Sequence, residues 1–242
     1  IDCEIDDGNL HTLSGAQIAK NSNSTLGIFY SQKCSVNSFP LYSSVGGVTG
    51  RNSGTIQGTK FKGFVSFDSS NGNKYVRSGG LAGVNDGEII GKSENFVVSN
   101  GLEEFDVVSV INAHKDSSLV SAKNSIGGAV GYNTNKVSNL SVRTFVFGDT
   151  TSQEIKIDCG VGGLIGYNRG NVIGNTVVPV VIGNVNVGGL IGSSTNDSSA
   201  ANYEFKVLDE MNISSNKVQI LDFKDIYSYM NTAVKGGFNV GG

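Results

Sequence analysis

The sequence is short of most residues that carry chemistry. Its 242 residues include no tryptophan, 2 prolines, 3 cysteines and 2 histidines. Charged residues make up 16%, against roughly 25% in an average soluble domain. The net charge is −3 and the pI is near 5.4. That balance excludes a nucleic-acid binder with a basic footprint. No run of about 18 apolar residues occurs, so no membrane-spanning helix is expected. His11 and His114 have no local metal-ligand spacing, so no metal and no cofactor are expected. Apolar residues at 38% are too many for simple disorder. Glycine, by contrast, is abundant: 34 residues, about double its usual share. It does not recur at every third position with proline, which excludes collagen. The chain begins Ile1-Asp2-Cys3, with no Met and no signal peptide, and reads as a processed product or a fragment.

The glycines fall in an internal repeat. One copy reads Val45-Gly46-Gly47-Val48-Thr49-Gly50-Arg51-Asn52-Ser53-Gly54. The others begin at Gly79, Gly127, Gly162 and Gly188, in steps of 33, 48, 35 and 26 residues. The fifth copy loses its turn and runs into Ser193-Ser194-Thr195. The consensus is G-G-apolar-x-G-x-N-x-G-x-apolar. Alternation places Leu164, Gly166 and Val172 on one side of a strand–turn–strand unit, where the glycine admits close approach of a neighbour.

The pairs Asn52/Gly54, Asn85/Gly87, Asn133/Asn135 and Asn168/Gly170 read as structural turns. The third turn residue is expected at φ > 0, which glycine and asparagine tolerate. The leading asparagines are positioned to bond one another as an amide ladder if the coils stack. A coil of three short strands fits the smallest step. The 48-residue step fits two coils or one coil with an inserted hairpin. Pro179, within Val177–Ile182, is expected at a strand end or bend.

The expected fold is all-β: a parallel β-helix or solenoid of stacked coils over 45–192. A non-repeat cap region (1–44) precedes it, and a degenerate, irregular region (193–242) follows it. Further strands are read at Phe145–Phe147, Tyr203–Val207 and Lys217–Ile220. Phe223, Ile226, Tyr227, Met230 and Val234 have helical spacing over 222–235; a strand at Leu221–Phe223 followed by loop is the alternative. Gly237-Phe238-Asn239-Val240-Gly241-Gly242 resembles Gly183–Gly189, as though another repeat begins there. An uncapped coil of that kind implies that the chain continues or that another chain covers it.

The segment Gly162-Gly163-Leu164-Ile165-Gly166-Tyr167-Asn168-Arg169-Gly170-Asn171-Val172 resembles the GLUG repeat family. Four good copies cover about residues 45–192. Such repeats occur in large secreted and surface proteins, adhesins among them. The resemblance implies β-helix-like architecture and an extracellular or cell-surface setting. It implies no reaction.

A search for catalysis yields little. No G-x-S-x-G elbow appears. Gly91-Lys92-Ser93 ends like a P-loop, but Asp86 stands where its first glycine belongs. Carboxylates cluster at Asp2/Glu4/Asp6/Asp7, Glu103/Glu104/Asp106 and Asp209/Glu210; a pair of them on one β-helix face is the arrangement a polysaccharide-active enzyme needs. Asp6-Asp7-Gly8-Asn9 lacks the spaced ligands of a calcium loop. Cys3 and Cys34 are candidates for a disulfide closing the cap, with three reduced cysteines as the alternative. Asn23, Asn139, Asn196 and Asn212 head N-glycosylation sequons. Tyr132 and Tyr167 share one repeat position, which alternation turns away from the Leu164/Gly166 face. There they either stack on sugars or pack within the protein.

Together these features point to a non-enzymatic structural module of a secreted or cell-surface protein. Its stacked coils build a rod, filament or appendage through self-association or contact with other extracellular structural chains. The alternative is an adhesin-type module for a glycan or host protein; a polysaccharide-active enzyme ranks third.

Overall fold

The computed structural model describes residues 11–13, 16–20, 27–31, 43–67, 76–92, 105–113, 124–148, 159–195, 211–219 and 234–241. These residues form an all-β parallel solenoid, with four sheets running along the stack. Sheet 1 holds β4 (Ser43–Gly46), β8 (Val76–Gly79), β12 (Ser125–Gly127), β16 (Gly160–Gly162), β20 (Val185–Gly188) and β25 (Phe238–Gly241). Sheet 2 holds β5 (Thr49–Asn52), β9 (Ala82–Asn85), β13 (Val130–Asn133), β17 (Ile165–Asn168) and β21 (Ile191–Ser194). Sheet 3 holds β6 (Thr55–Gln57), β10 (Glu88–Ile90), β14 (Lys136–Ser138), β18 (Asn171–Ile173) and β22 (Ile213–Ser214).

Sheet 4 carries the long strands β7 (Phe61–Phe67), β11 (Val107–Ala113), β15 (Ser141–Gly148) and β19 (Thr176–Ile182). Short strands β23 (Lys217–Val218) and β24 (Val234–Lys235) both pair with β19. At the other end β3 (Gly27–Ser31) pairs parallel with β7. β2 (Ala16–Lys20) and β1 (His11–Leu13) then add antiparallel.

Each coil therefore has four strands, not the three expected. The two bends after the glycine pair and after the ladder asparagine use only two residues each, so a fourth strand fits even the shortest step. The 48-residue step is one coil, because β12 pairs directly with β8. Its surplus falls in 93–104 and 114–123, outside the described residues.

In-register stacking makes columns of like residues. Phe61, Val107, Val142 and Val177 form one, and Val65, Ile111, Val146 and Val181 another, all buried. Ile89, Val137 and Val172 line the facing side. Each such side chain contributes roughly 1.5–3 kcal/mol by leaving water. The core is thin because sheets 1 and 2 meet backbone to backbone. A Cβ on Gly83, Gly131, Gly166 or Gly192 would fall within 3 Å of the backbone nitrogens of Val45, Ser78, Ile126 and Val161 respectively. Only hydrogen fits there.

Three expectations are corrected. First, Pro179 lies mid-strand, opposite Thr144. The polar groups of Val177 and Gly183 face the fifth coil, bonding Gln219 and Lys235. Pro179 has the same parity, so the side that lacks an N–H faces the fifth coil, and the ladder between β19 and β15 loses no bond. Second, the residues described at the end of the 222–235 helical pattern are strand: Val234 pairs with Val181 and extends its column. Residues 220–233 lie outside the described set, as does Tyr203–Val207.

Third, the N-x-G turns do not use positive φ. None of Gly54, Gly87, Asn135 and Gly170 has it. Left-handed residues sit four positions later, at Gly58 (φ 59), Asn139 (φ 56) and Gly174 (φ 69). Where glycine stands in an interior turn, it is stacking that leaves its Cβ position no room, although Asn135 is accommodated over the Asp86–Gly87 turn, donating to Asp86 O at 3.0 Å. A Cβ on Gly87 would collide with the Gly54 carbonyl, and one on Gly170 with that of Asn135. Gly54, at the edge of the stack, meets nothing within 4 Å.

The two causes separate experimentally. Gly87→Ala is expected to cost about 2–4 kcal/mol by overpacking, while Gly54→Ala stays within about 0.5 kcal/mol of wild type; urea unfolding of both variants measures this. A positive-φ requirement predicts equal losses. A second test concerns Ser78, whose hydroxyl is buried without a partner in the column Val45–Ser78–Ile126–Val161. Ser78→Ala is expected to stabilise the fold by about 1 kcal/mol, read as a raised melting temperature.

Candidate functional site

The most organised polar feature is a buried amide ladder. Asn52, Asn85, Asn133 and Asn168 end successive strands of sheet 2 in register. Asn52 Nδ2 donates to Asn85 Oδ1, Asn85 Nδ2 to Asn133 Oδ1, and Asn133 Nδ2 to Asn168 Oδ1, each at 2.8 Å. The second amide hydrogen goes to main-chain carbonyls: Asn133 to Asn135 O at 3.2 Å, Asn168 to Gly170 O at 2.9 Å. The Oδ1 atoms of Asn52 and Asn168 accept from Gly54 N and Gly170 N, both at 3.2 Å. One side chain thus closes its own turn and joins it to the next coil. In the fifth coil Ser194 takes the position, and Asn168 Nδ2 reaches Ser194 Oγ and Met211 Sδ, both at 3.3 Å.

Other corners repeat the device, unseen in the sequence. Asn175 Nδ2 donates to Asn216 Oδ1 at 2.9 Å, and Asn239 Nδ2 to Asn186 Oδ1 at 2.9 Å. The shared Asn-x-Val of Asn175–Val177 and Asn216–Val218 was the available signal for the first. Inside the long-strand sheet, Ser109 Oγ meets Thr144 Oγ1 at 2.8 Å and donates to Gly128 O at 2.7 Å.

The candidate carboxylates do not assemble a cleft among the described residues. Asp106 is buried, and its Oδ2 accepts from Ser141 N at 3.1 Å and Ser141 Oγ at 3.0 Å. That is a structural clamp between coils. Asp2, Glu4, Asp6, Asp7, Glu103, Glu104, Asp209 and Glu210 lie outside the described residues. Among the described residues, no group of three or more His, Cys, Asp or Glu is placed to hold a metal. Asp86 is occupied by Arg51 and by Thr134 Oγ1 at 3.0 Å. The Lys136–Glu88 pair at 4.0 Å is exposed and adds little. Gly91 lies against the Asn139 carbonyl of the next coil, as a stacking glycine does.

Tyr132 and Tyr167 are paired across β13 and β17 and stack at 5.1 Å. They are 5% and 1% exposed, with Val84 beside them and the Arg77 guanidinium 4.1 Å over the Tyr132 ring. They pack within the protein and offer no surface to a sugar.

Of the sequons, Asn212 is exposed, and its main-chain N–H is held by Asn171 Oδ1 at 2.8 Å. Asn139 is half-buried over Gly174, and its Ser141 hydroxyl is engaged with Asp106. Asn23 and Asn196 lie outside the described residues, as do Cys3 and Cys34. Cys159 is buried, and its sulfur accepts from Asn186 Nδ2 at 3.9 Å. Among the described residues no helix is long and apolar enough to cross a membrane.

Comparison with family models, curated proteins and solved structures finds no match to this chain.

The ladder's energetic weight is testable. Asn133→Ala removes two ladder bonds and leaves one buried amide hydrogen of Asn85 without its acceptor, with an expected loss of about 2–4 kcal/mol. Asn52→Ala, at the end of the ladder, removes one and is expected to cost about half as much. Denaturant titration of the two variants compares them, and equal losses exclude cooperative stacking.

Proposed function

We propose that this chain is a non-enzymatic structural module of a secreted or cell-surface protein, acting through the geometry of its stacked coils and contacts with other chains. The observation that carries this reading is the unbroken amide ladder from Asn52 to Asn168, in register with the glycine columns. The ladder amides spend their hydrogen bonds on neighbouring coils, which supports a structural role. The resemblance of Gly162–Val172 to GLUG repeats supports the extracellular setting.

The geometry also says what such a module needs. Five or six coils spaced about 4.8 Å apart make a stack only ~25 Å deep. A longer rod or appendage is built by adding coils to the same chain or by joining stacks. The adhesin reading drew on outward tyrosines; with Tyr132 and Tyr167 buried, no named surface favours it.

The test is the mass and shape of the native-source protein, by light scattering with negative-stain electron microscopy. Defined multimers or filaments with stack ends in contact are the expected result. A dispersed monomer at every concentration overturns assembly through chain contacts.

A further inference from the structure

Resting on the secreted setting read above, we propose that Asn212 is an N-glycosylation site, taking its oligosaccharide from a polyprenyl-diphosphate-linked donor. Asn212-Ile213-Ser214 leads into β22 on sheet 3. Ile213 pairs with Val172 and continues the inward column of Val172, Val137 and Ile89. Alternation turns Asn212 and Ser214 to the opposite side, off the flank of the stack. The main chain there is held extended. Val172 N donates to Asn212 O at 2.8 Å, Gly174 N to Ser214 O at 3.0 Å, and Asn212 N to Asn171 Oδ1 at 2.8 Å. The side chains by which a sequon is read are left out of this network. Asn212 is exposed, and among the described residues neither its amide nor the Ser214 hydroxyl has a hydrogen-bond partner. Both stand on one side of one strand, open to a transferase. They point away from the stack axis, so a further coil added on β22 leaves them uncovered.

Asn139 heads a sequon that the fold closes. It is half-buried, its N–H donates to Ile173 O at 3.0 Å, and its Oδ1 fills the space a Cβ on Gly174 would take. Ser141 is 1% exposed, and its hydroxyl donates to Asp106 Oδ2 at 3.0 Å. A transferase meets the chain as it enters the secretory lumen, so the fold acts as a filter on what was added. A glycan on Asn139 holds the third and fourth coils apart, whereas one on Asn212 projects into water.

In the transfer, Asn212 Nδ2 attacks C1 of the first sugar. The Nδ2–C1 bond forms and the C1–O bond to the diphosphate breaks. Polyprenyl diphosphate leaves with the electron pair, and one amide proton passes to a base of the transferase. The attached glycan is bulky and hydrated. It keeps the sheet 3 flank of the fifth coil from packing against another chain and directs chain contacts elsewhere.

Site-by-site peptide mass spectrometry, before and after enzymatic glycan release, tests this on two samples. One is the native-source protein; the other is the 242-residue chain secreted from eukaryotic cells behind an added leader. Asn212 occupied and Asn139 bare is the expected result in both. Asn212→Gln is expected to lower the mass of the secreted chain by one glycan. After deglycosylation its melting temperature matches wild type, because the Asn212 amide holds no neighbour. A secreted chain that is bare at Asn212 overturns the inference and leaves the structural reading standing. Folded protein occupied at Asn139 overturns the filter. A native protein bare at Asn212 overturns the inference whatever the expressed chain carries, and light scattering of that protein then decides the structural reading by itself.

Discussion

The approach of sheet 2 onto sheet 1 through Gly83, Gly131, Gly166 and Gly192 sets the cross-section of the whole stack. With a side chain at those positions the sheets move apart by several ångströms, and the bend at each glycine pair no longer closes. That bend is itself tight: a Cβ on Gly79, Gly127 or Gly162 would strike the carbonyl three residues ahead in its own coil. The second glycine of each pair faces the long-strand sheet, where Ser109, Thr144 and Pro179 fill the middle of their strands. Three glycines per repeat thus exclude side chains in three directions. The apolar residues between them need only be small enough to share a shallow core.

A thin core leaves little apolar area to offset buried main-chain groups at the bends. The ladder asparagines answer this. An amide has two donors and one acceptor oxygen with two lone pairs, and Asn168 uses them on Asn133, Gly170 and Ser194. Each coil supplies what its neighbour's polar groups lack, so stability is a nearest-neighbour property, as in other solenoids. Removing one amide damages two interfaces.

Much of this was legible because the repeat is spelled in the residues themselves. The five glycine pairs give the number and register of the bends, and the Asn-x-Gly triplets give the adjoining turn. What was not legible has physical reasons. Positive φ and close packing both select glycine, so Gly87 alone cannot tell them apart; the open environment of Gly54 can, but only in three dimensions. Pro179 looked foreign to a strand because sequence does not reveal which flank of β19 is paired. Tyr167 alternates correctly for an outward residue, yet it is buried, since alternation predicts direction and not cover. Asn216 shares only the short Asn-x-Val with Asn175, too little to establish a repeat, so their bond is plain only when β23 falls beside β19.

The regular pattern also decays in one direction, and that gives the molecule its polarity. In the fifth coil serine replaces the ladder asparagine, β19 is met by two short strands in place of one long one, and the core columns reach solvent at Ile213 and Val218. At the other end β1 and β2 pair antiparallel, unlike the parallel strands of the coils. The flanks carry no clustered reactive groups among the described residues, and the aromatic pair that alternation placed outside is covered. The regularity of this chain therefore changes along the stack axis, from the full amide ladder of the first four coils to the serine and the short strands of the fifth.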